Sequence, residues 1–324
     1  MRAVAWSSAG LIATAGANGE IHLWTDEGDY LTTWQGHGES VATVEFDRAG
    51  SLLVSAGADR TIRLWDTATG RCLHVLTGHE GYVSKVVFSP DGRRLASSGQ
   101  HHAIMSWDTV TGKRLYSIDA YDSAAGPILY TPDGNLLITG GGDHYDALHV
   151  RDARTGELIT VLRSGHLGGV TAPAITPDGR HLVAALGNEV ATVYDLATRS
   201  HIGTFAGHSG YLTAVACHAD NQTVVTGGDD RTIRLWRIGE QTSIGQFTGH
   251  TQGIGGLAFD VSGDRLLSGS IDGTARVWRL DGTTMKMLIA RRPYEGIDIT
   301  GAIGLNEHQR DVLRALGARD TLAK

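Results

Sequence analysis

Several things that mark functional classes are scarce in this 324-residue sequence. Two cysteines, Cys72 and Cys217, are too few for a disulfide framework and share no Cys-x-x-Cys spacing, which points to a reducing compartment and to buried free thiols. The net charge of −7 includes no basic run, and non-specific nucleic-acid affinity is built from neutralised phosphates, so no nucleic-acid partner is expected. No stretch approaches the roughly 20 apolar residues of a membrane helix, which excludes a membrane partner of that kind. Arg2 and the Ala13-Thr14-Ala15 step faintly imitate a secretory signal, but they fall in phase with the repeat described below, and the sequence predicts a cytoplasmic protein. Walker-type glycine loops and kinase catalytic-loop patterns are missing as well. Glycine, in contrast, is plentiful: 44 residues beside 41% hydrophobic and only 19% charged residues describe a turn-dense, all-β chain.

The glycine-rich background hides a period. A pattern of aliphatic residues ending on an aromatic recurs at Trp24, Trp65, Trp107, Tyr194, Trp236 and Trp278, with Arg151 in the fourth place, at spacings of 41, 42, 44, 43, 42 and 42. A Gly-His pair opens most units, at His37, His79, His166, His208 and His250, and Tyr121 stands where another would be. Between each pair and the next aromatic lie two alternating runs, such as VATVEF and LLVSAG, which read as strands of period two. Pro-Asp-Gly turns at Pro90, Pro132 and Pro177 suit hairpins, because proline presets one corner and glycine takes the positive-φ corner. A four-stranded sheet of about 40 residues cannot bury both faces alone. Seven of them stacked around an axis can, and radial closure leaves only short, protected edges.

Segments such as DRTIRLWDTATGRCLHVLTGHEGYVSKVVFSPDGRRLAS resemble the WD-repeat family, over about nine-tenths of the chain. The resemblance implies an all-β, seven-bladed β-propeller of four antiparallel strands per blade. Blades are expected near residues 1–35, 39–77, 81–119, 123–164, 168–206, 210–248 and 252–290, each built from contiguous sequence, with a tail over 291–324. In the tail, Asn306 and Gln309 form a capping pattern ahead of Val312, Leu313 and Leu316, which predicts a short helix over 307–316.

Three units hold a hydroxyl, an imidazole, a carboxylate and an indole in one register: His37, Ser55, Asp59 and Trp65; His208, Thr226, Asp230 and Trp236; His250, Ser268, Asp272 and Trp278. The first three groups are the parts of an acyl-transfer site. Three copies are what a repeated fold needs and one active site does not. The reading is therefore structural: indole donates to hydroxyl, hydroxyl to imidazole, imidazole to carboxylate. In the WD family this network ties the tryptophan strand to the histidine loop. The third unit keeps His79, Ser97 and Trp107 but has His101 in the acidic place. The fourth keeps Thr139 and Asp143, the fifth His166 with Ala184, Asn188 and Tyr194, and the first Thr14, Asn18 and Trp24. Incomplete networks predict that the fourth and fifth units are the least rigid, which hydrogen exchange tests.

In the WD family the face that carries the histidine loops and acidic turns usually receives partners. The residues mapping to its mouth are mostly small, leaving Tyr82, Gln100, Tyr211, Asp229 and Ile271 as candidate partner contacts. Inward positions read as Ala, Gly, Val and Thr, poor cation ligands, so no cofactor is expected. His101, His102 and His144 lack a convergent carboxylate or thiolate and read as loop residues. The tail pattern PYEG-x-x-ITG-x-x-GL resembles a segment on bacterial, especially cyanobacterial, repeat proteins, some of which carry NTPase switch modules upstream. The missing first Gly-His agrees either with a chain whose natural start lies earlier or with a complete protein of short start. The expected function is a non-catalytic scaffold or sensor that binds other proteins. The alternative is a propeller enzyme with a metal or small-molecule site at the central channel.

Overall fold

A computed structural model describes residues 3–101, 103–119, 126–140, 147–163, 168–240, 242–289, 300, 302, 306–315 and 318–320. Seven four-stranded antiparallel sheets follow one another along the chain, each built from consecutive strands: blade 1 within Ala3–Trp34, blade 2 Val41–Leu76, blade 3 Val83–Asp119, blade 4 Ile128–Arg163, blade 5 Val170–Ala206, blade 6 Leu212–Phe247 and blade 7 Ile254–Ile289. The first strands of successive sheets touch, and that of blade 7 touches that of blade 1, so the ring is closed and the first strand of every blade is innermost. This is a seven-bladed β-propeller.

The turns explain why each run stops where it does. In the Pro-Asp-Gly hairpin after the inner strand of blade 3, Gly92 takes φ 69° while Ser89 Oγ donates to Asp91 Oδ1 at 2.6 Å. After the tryptophan strand of blade 2, Asp66 Oδ1 accepts from Thr69 N at 2.7 Å and Gly70 follows at φ 70°.

The core lies between blades and not within them. Every apolar cluster joins two neighbours; one unites Ile21, Leu23 and Trp34 of blade 1 with Val41, Phe46, Leu53 and Trp65 of blade 2. The tryptophan of one blade stacks on an aromatic from the outer strand of the blade before it: Trp65 on Trp34 at 5.6 Å and Trp236 on Phe205 at 5.1 Å between centroids. Such pairs add about 1 kcal/mol beyond their buried area.

Among the described residues no strand is exchanged between blades 7 and 1. Ile12 and Trp24 pack against Leu267, Ala275, Val277 and Leu288. Arg265 of blade 7 bonds Asp260 at 2.9 Å, reaches the Asp26 carbonyl at 3.0 Å and carboxylate at 3.3 Å, and lies 4.8 Å over the Trp6 ring of blade 1.

The chain divides into two compact units, Met1–Leu288 and Ile289–Lys324. In the second, Glu307–Ala315 is helical, and its N-terminus is closed reciprocally: Gln309 N donates to Asn306 Oδ1 at 2.8 Å and Asn306 N to Gln309 Oε1 at 3.0 Å.

One cysteine departs from expectation. Cys72 is exposed, because outer strands have a blade on neither side of their edge and half of their side chains face solvent. Cys217, on the inner strand of blade 6, has its thiol pushed up to about 12 by burial and by the nearby Asp178.

Candidate functional site

The three complete sets form continuous hydrogen-bonded chains. In blade 2, Trp65 Nε1 donates to Ser55 Oγ at 2.8 Å, Ser55 Oγ meets His37 Nε2 at 2.7 Å, and His37 Nδ1 meets Asp59 Oδ2 at 2.9 Å. Blade 6 repeats it through Trp236, Thr226, His208 and Asp230 at 2.7, 2.8 and 2.8 Å. Blade 7 does so through Trp278, Ser268, His250 and Asp272 at 2.8, 2.7 and 2.9 Å. An indole only donates, so the hydroxyl accepts from it and gives its own hydrogen to Nε2, which leaves Nδ1 carrying the hydrogen that faces the carboxylate. Each imidazole is therefore neutral. Burial holds all three below the usual histidine value, against the opposing pull of their carboxylates. Burial alone would raise Asp59, yet bonds from His37 and Thr61 hold it below the ordinary carboxylate range.

The hydroxyls at the centre of these sets, Ser55, Thr226 and Ser268, have 0% exposure. An acyl-transfer nucleophile must meet a substrate carbonyl, and none reaches these atoms.

Sequence reasoning missed a fifth member. Thr61 Oγ1 donates to Asp59 Oδ1 at 2.9 Å, Thr232 to Asp230 at 2.9 Å and Thr274 to Asp272 at 2.7 Å. Loop amides join them, Ser209 N to Asp230 at 3.2 Å and Thr251 N to Asp272 at 3.0 Å. The Asp-x-Thr spacing in each complete unit was the available signal. The glycine before histidine also has a cause: at Gly207, with φ 149°, a Cβ would lie 3.1 Å from Arg234 Nη1 and 3.5 Å from the Trp236 ring.

Incomplete units keep what remains. In blade 3, Trp107 donates to Ser97 Oγ at 2.9 Å and His79 Nε2 meets it at 2.7 Å, but His79 Nδ1 is buried without a hydrogen-bond partner. His101, in the acidic place, is exposed at φ 61°. Burial, and the charge of Arg114, push His79 down to about 4. In blade 1, Trp24 donates to Thr14 at 3.0 Å, while the Asn18 amide turns to Glu20. In blade 4, Arg151 fills the tryptophan place and donates to the Gly156 carbonyl at 3.1 Å, and Thr139 is buried nearby in the sheet. Blade 5 has Ala184 and Tyr194 buried and Asn188 half-buried. Tyr121, Asp143 and His166 lie outside the described residues, as do His102 and His144. Among the described residues no group of three His, Cys, Asp or Glu side chains is placed to hold a metal.

Four segments, 28–66, 70–108, 199–237 and 241–279, match the WD domain, G-beta repeat. This propeller therefore carries WD40 repeats in those four segments. Each matched segment runs from an outer strand, or just before it, through the tryptophan strand of the next blade, and the four end in blades 2, 3, 6 and 7, where histidine, hydroxyl and tryptophan are all present. The chain is 46% identical over 54 residues to eukaryotic translation initiation factor 3 subunit I of Mycosarcoma maydis, a match covering 16% of each protein. It is 39% identical over 69 residues to nuclear distribution protein nudF of Aspergillus niger, covering 20% of this chain and 16% of that one. The human F-box-like/WD repeat-containing protein TBL1X matches at 33% over 66 residues, 20% of this chain and 11% of that protein. The chain thus spans about one-sixth or less of the length of these relatives.

The candidate partner residues fall into two groups around the mouth of the propeller. On blade 3, Gln100 N donates to the Tyr82 carbonyl at 2.8 Å; Gln100 is exposed and Tyr82 half-buried. On blades 6 and 7, Asp229 N donates to the Tyr211 carbonyl at 2.9 Å, and a Cβ on Gly253 would sit 2.7 Å from Asp229 Oδ1 and 3.5 Å from Ile271. Tyr211, 61% exposed, and Ile271, 42% exposed, are the largest apolar surfaces there. The ladder skips one inner-strand residue in blades 2, 3, 5, 6 and 7, namely Ala42, Ser84, Thr171, Thr213 and Gly255, and these bulged residues line the mouth. Their hydroxyls are occupied: Thr171 donates to the Leu212 carbonyl of the next blade at 2.7 Å, and Thr213 to that of Ile254.

The channel corrects one expectation, because the inward positions are not all uncharged. Glu45 of blade 2 and Lys85 of blade 3 both line a 330 Å³ cavity on the axis. Glu45 Oε1 accepts from Phe88 N at 2.9 Å, and burial raises its carboxyl despite the nearby ammonium. Strand alternation placed Glu45 between blades; its length carries the carboxylate to the free edge of the neighbouring inner strand.

Proposed function

We propose that this propeller is a non-catalytic platform that binds other proteins on the face where the histidine loops and acidic turns emerge. The observation that carries the reading is the complete burial of Ser55, Thr226 and Ser268, which makes these three triad-like constellations internal ties, beside an exposed Tyr211, Asp229 and Ile271 on the rim. The relative named as a subunit of an initiation factor is by its name part of an assembly, which agrees with a platform role. On this reading the chain is the recognition or regulatory part of a larger bacterial signalling protein of the NTPase-switch type. The tail motif supports that, and the setting is the cytoplasm, with no cofactor, nucleic acid or membrane involved. Alanine at Tyr82, Tyr211 and Asp229 together is expected to abolish capture of a partner from lysate with Tm unchanged; unchanged capture removes this face from consideration.

Glu45 in the channel is the one observation favouring the rival, a propeller enzyme with a metal or small-molecule site on the axis. Elemental analysis of purified protein decides it, since stoichiometric tightly held metal contradicts the platform reading.

A further inference from the structure

Arg265 of blade 7 and Arg94 of blade 3 occupy the same place, the first residue of the second strand, laddered to the residue after the tryptophan. The pairing carries further. Trp6 ladders to Ile12 and thence to Trp24, as Tyr130 ladders to Leu137 and thence to Arg151. Tyr130 of blade 4 therefore stands to Arg94 as Trp6 of blade 1 stands to Arg265. Counted from the same ladder positions, Ser89 replaces Asp260 and Ala153 replaces Asp26. Both carboxylates that hold Arg265 have been exchanged for small, uncharged residues around Arg94.

What they leave is a cleft of 830 Å³ on the face opposite the acidic turns, lined by Ser89, Arg94, Tyr130 and Ala153, with Arg48 and Arg154 on its rim. Tyr130 is only 8% exposed, and its hydroxyl is shut off from solvent beside Ser106 and Tyr116. Burial raises that phenol above its ordinary value, so no tyrosinate charge competes for Arg94. Three carboxylates also border the cleft, but each is engaged in its own turn. Asp91 accepts from Ser89 Oγ at 2.6 Å and Arg93 N at 3.1 Å, Asp133 from Thr131 Oγ1 at 2.5 Å and Asn135 N at 3.1 Å, and Asp152 from Thr155 N at 2.8 Å. None is within ion-pair distance of Arg94; the charges of Asp91 and of Asp108, which is laddered opposite it, act on the half-buried guanidinium without a direct bond, so its donors remain open to a ligand.

We propose that the cleft between blades 3 and 4 binds a carboxylate, which Arg94 holds as Arg265 holds Asp26, beside the Tyr130 ring. Two sources share this chemistry, a free dicarboxylic acid and an acidic side chain of a bound protein. The inference lies on the other face from the proposed platform surface and does not depend on it.

The test titrates the whole chain with glutarate, blocked glutamate (N-acetyl, N-methylamide), blocked glutamine and inorganic phosphate, following the Tyr130 ring resonances. Saturable shifts with glutarate and blocked glutamate, and none with glutamine, are expected; tighter binding of glutarate marks a free acid, tighter binding of the blocked residue a protein side chain. Ala153→Asp places a carboxylate where Asp26 stands, so it should raise Tm and weaken both acids by about tenfold or more, while Arg94→Gln weakens them similarly. Ala153→Asp also keeps the question answerable if Arg94→Gln fails to fold. Unchanged affinity in a folded Ala153→Asp variant, or phosphate binding tighter than either carboxylate, overturns the proposal.

Discussion

Blades 2 and 3 are neighbours that share a histidine, a serine and a tryptophan at matching ladder positions, and only blade 2 has the carboxylate. Despite this, the bonds from indole to hydroxyl to Nε2 agree within 0.1 Å between them, 2.8 and 2.7 Å against 2.9 and 2.7 Å. Packing of indole and imidazole between sheets is enough to fix that inner half. The carboxylate does something else: it gathers Nδ1, a threonine two residues on, and a loop amide, so that the histidine loop and the turn between the second and third strands are tied to one another. In blade 3 the threonine is gone as well, replaced by Ala103.

The largest expected effect comes from breaking a complete set. Asp230→Ala leaves the buried Nδ1–H of His208 and the amides of Ser209 and Thr232 without their acceptor, and should cost about 3 kcal/mol in urea denaturation. His101→Ala, at the same place in blade 3, should change the unfolding free energy by less than about 0.5 kcal/mol; equal losses would mean the carboxylate is incidental. A second contrast is with pH. His79 has a folded value of about 4 against 6.5 when unfolded, so the unfolded chain takes up a proton that the folded chain refuses. Its contribution is complete above pH 6.5 and is lost as pH falls towards 4, by up to about 3 kcal/mol. The carboxylates of the complete sets fail lower, below the ordinary carboxylate value of 3.8. His79→Leu should therefore flatten stability between those limits, and an unaltered slope would locate acid sensitivity elsewhere. The smallest effect sharpens the comparison by repair: His101→Asp with Ala103→Thr should gain at most about 1 kcal/mol, because the left-handed residue of this turn is His101 itself at φ 61°, where in blade 2 it is Arg60, one residue after the aspartate, at φ 65°.

How much of this was legible depended on repetition. Trp65, Trp236 and Trp278 with their hydroxyls and histidines recur at one register, and a feature present three times at equal spacing separates itself from chance. Thr61, Thr232 and Thr274 recur equally well but went unread, because threonine two residues after an aspartate is also an ordinary turn residue. Glu45 and Lys85 occur once each, on strands whose alternation says only which neighbour they face. Whether a long side chain then bends to the axis depends on the distance between strands that are far apart in sequence. The exposure of Cys72 follows the same logic: its position is apolar in pattern, and only the arrangement of blades shows that nothing packs outside it. Arg151 shows the opposite case, a polar residue in an aromatic slot that stays buried by finding the Gly156 carbonyl within its own turn.

Since each sheet is made from one uninterrupted stretch, the joint between blades 7 and 1 is a seam without stitching: noncovalent contacts close it, with Arg265 as the clasp. A gene rotated to start in the loop before Leu212, with the old seam sewn by a short linker, would encode the same ring. Pulling on the natural chain should part it first at this joint, as a bracelet opens at its clasp while the links hold.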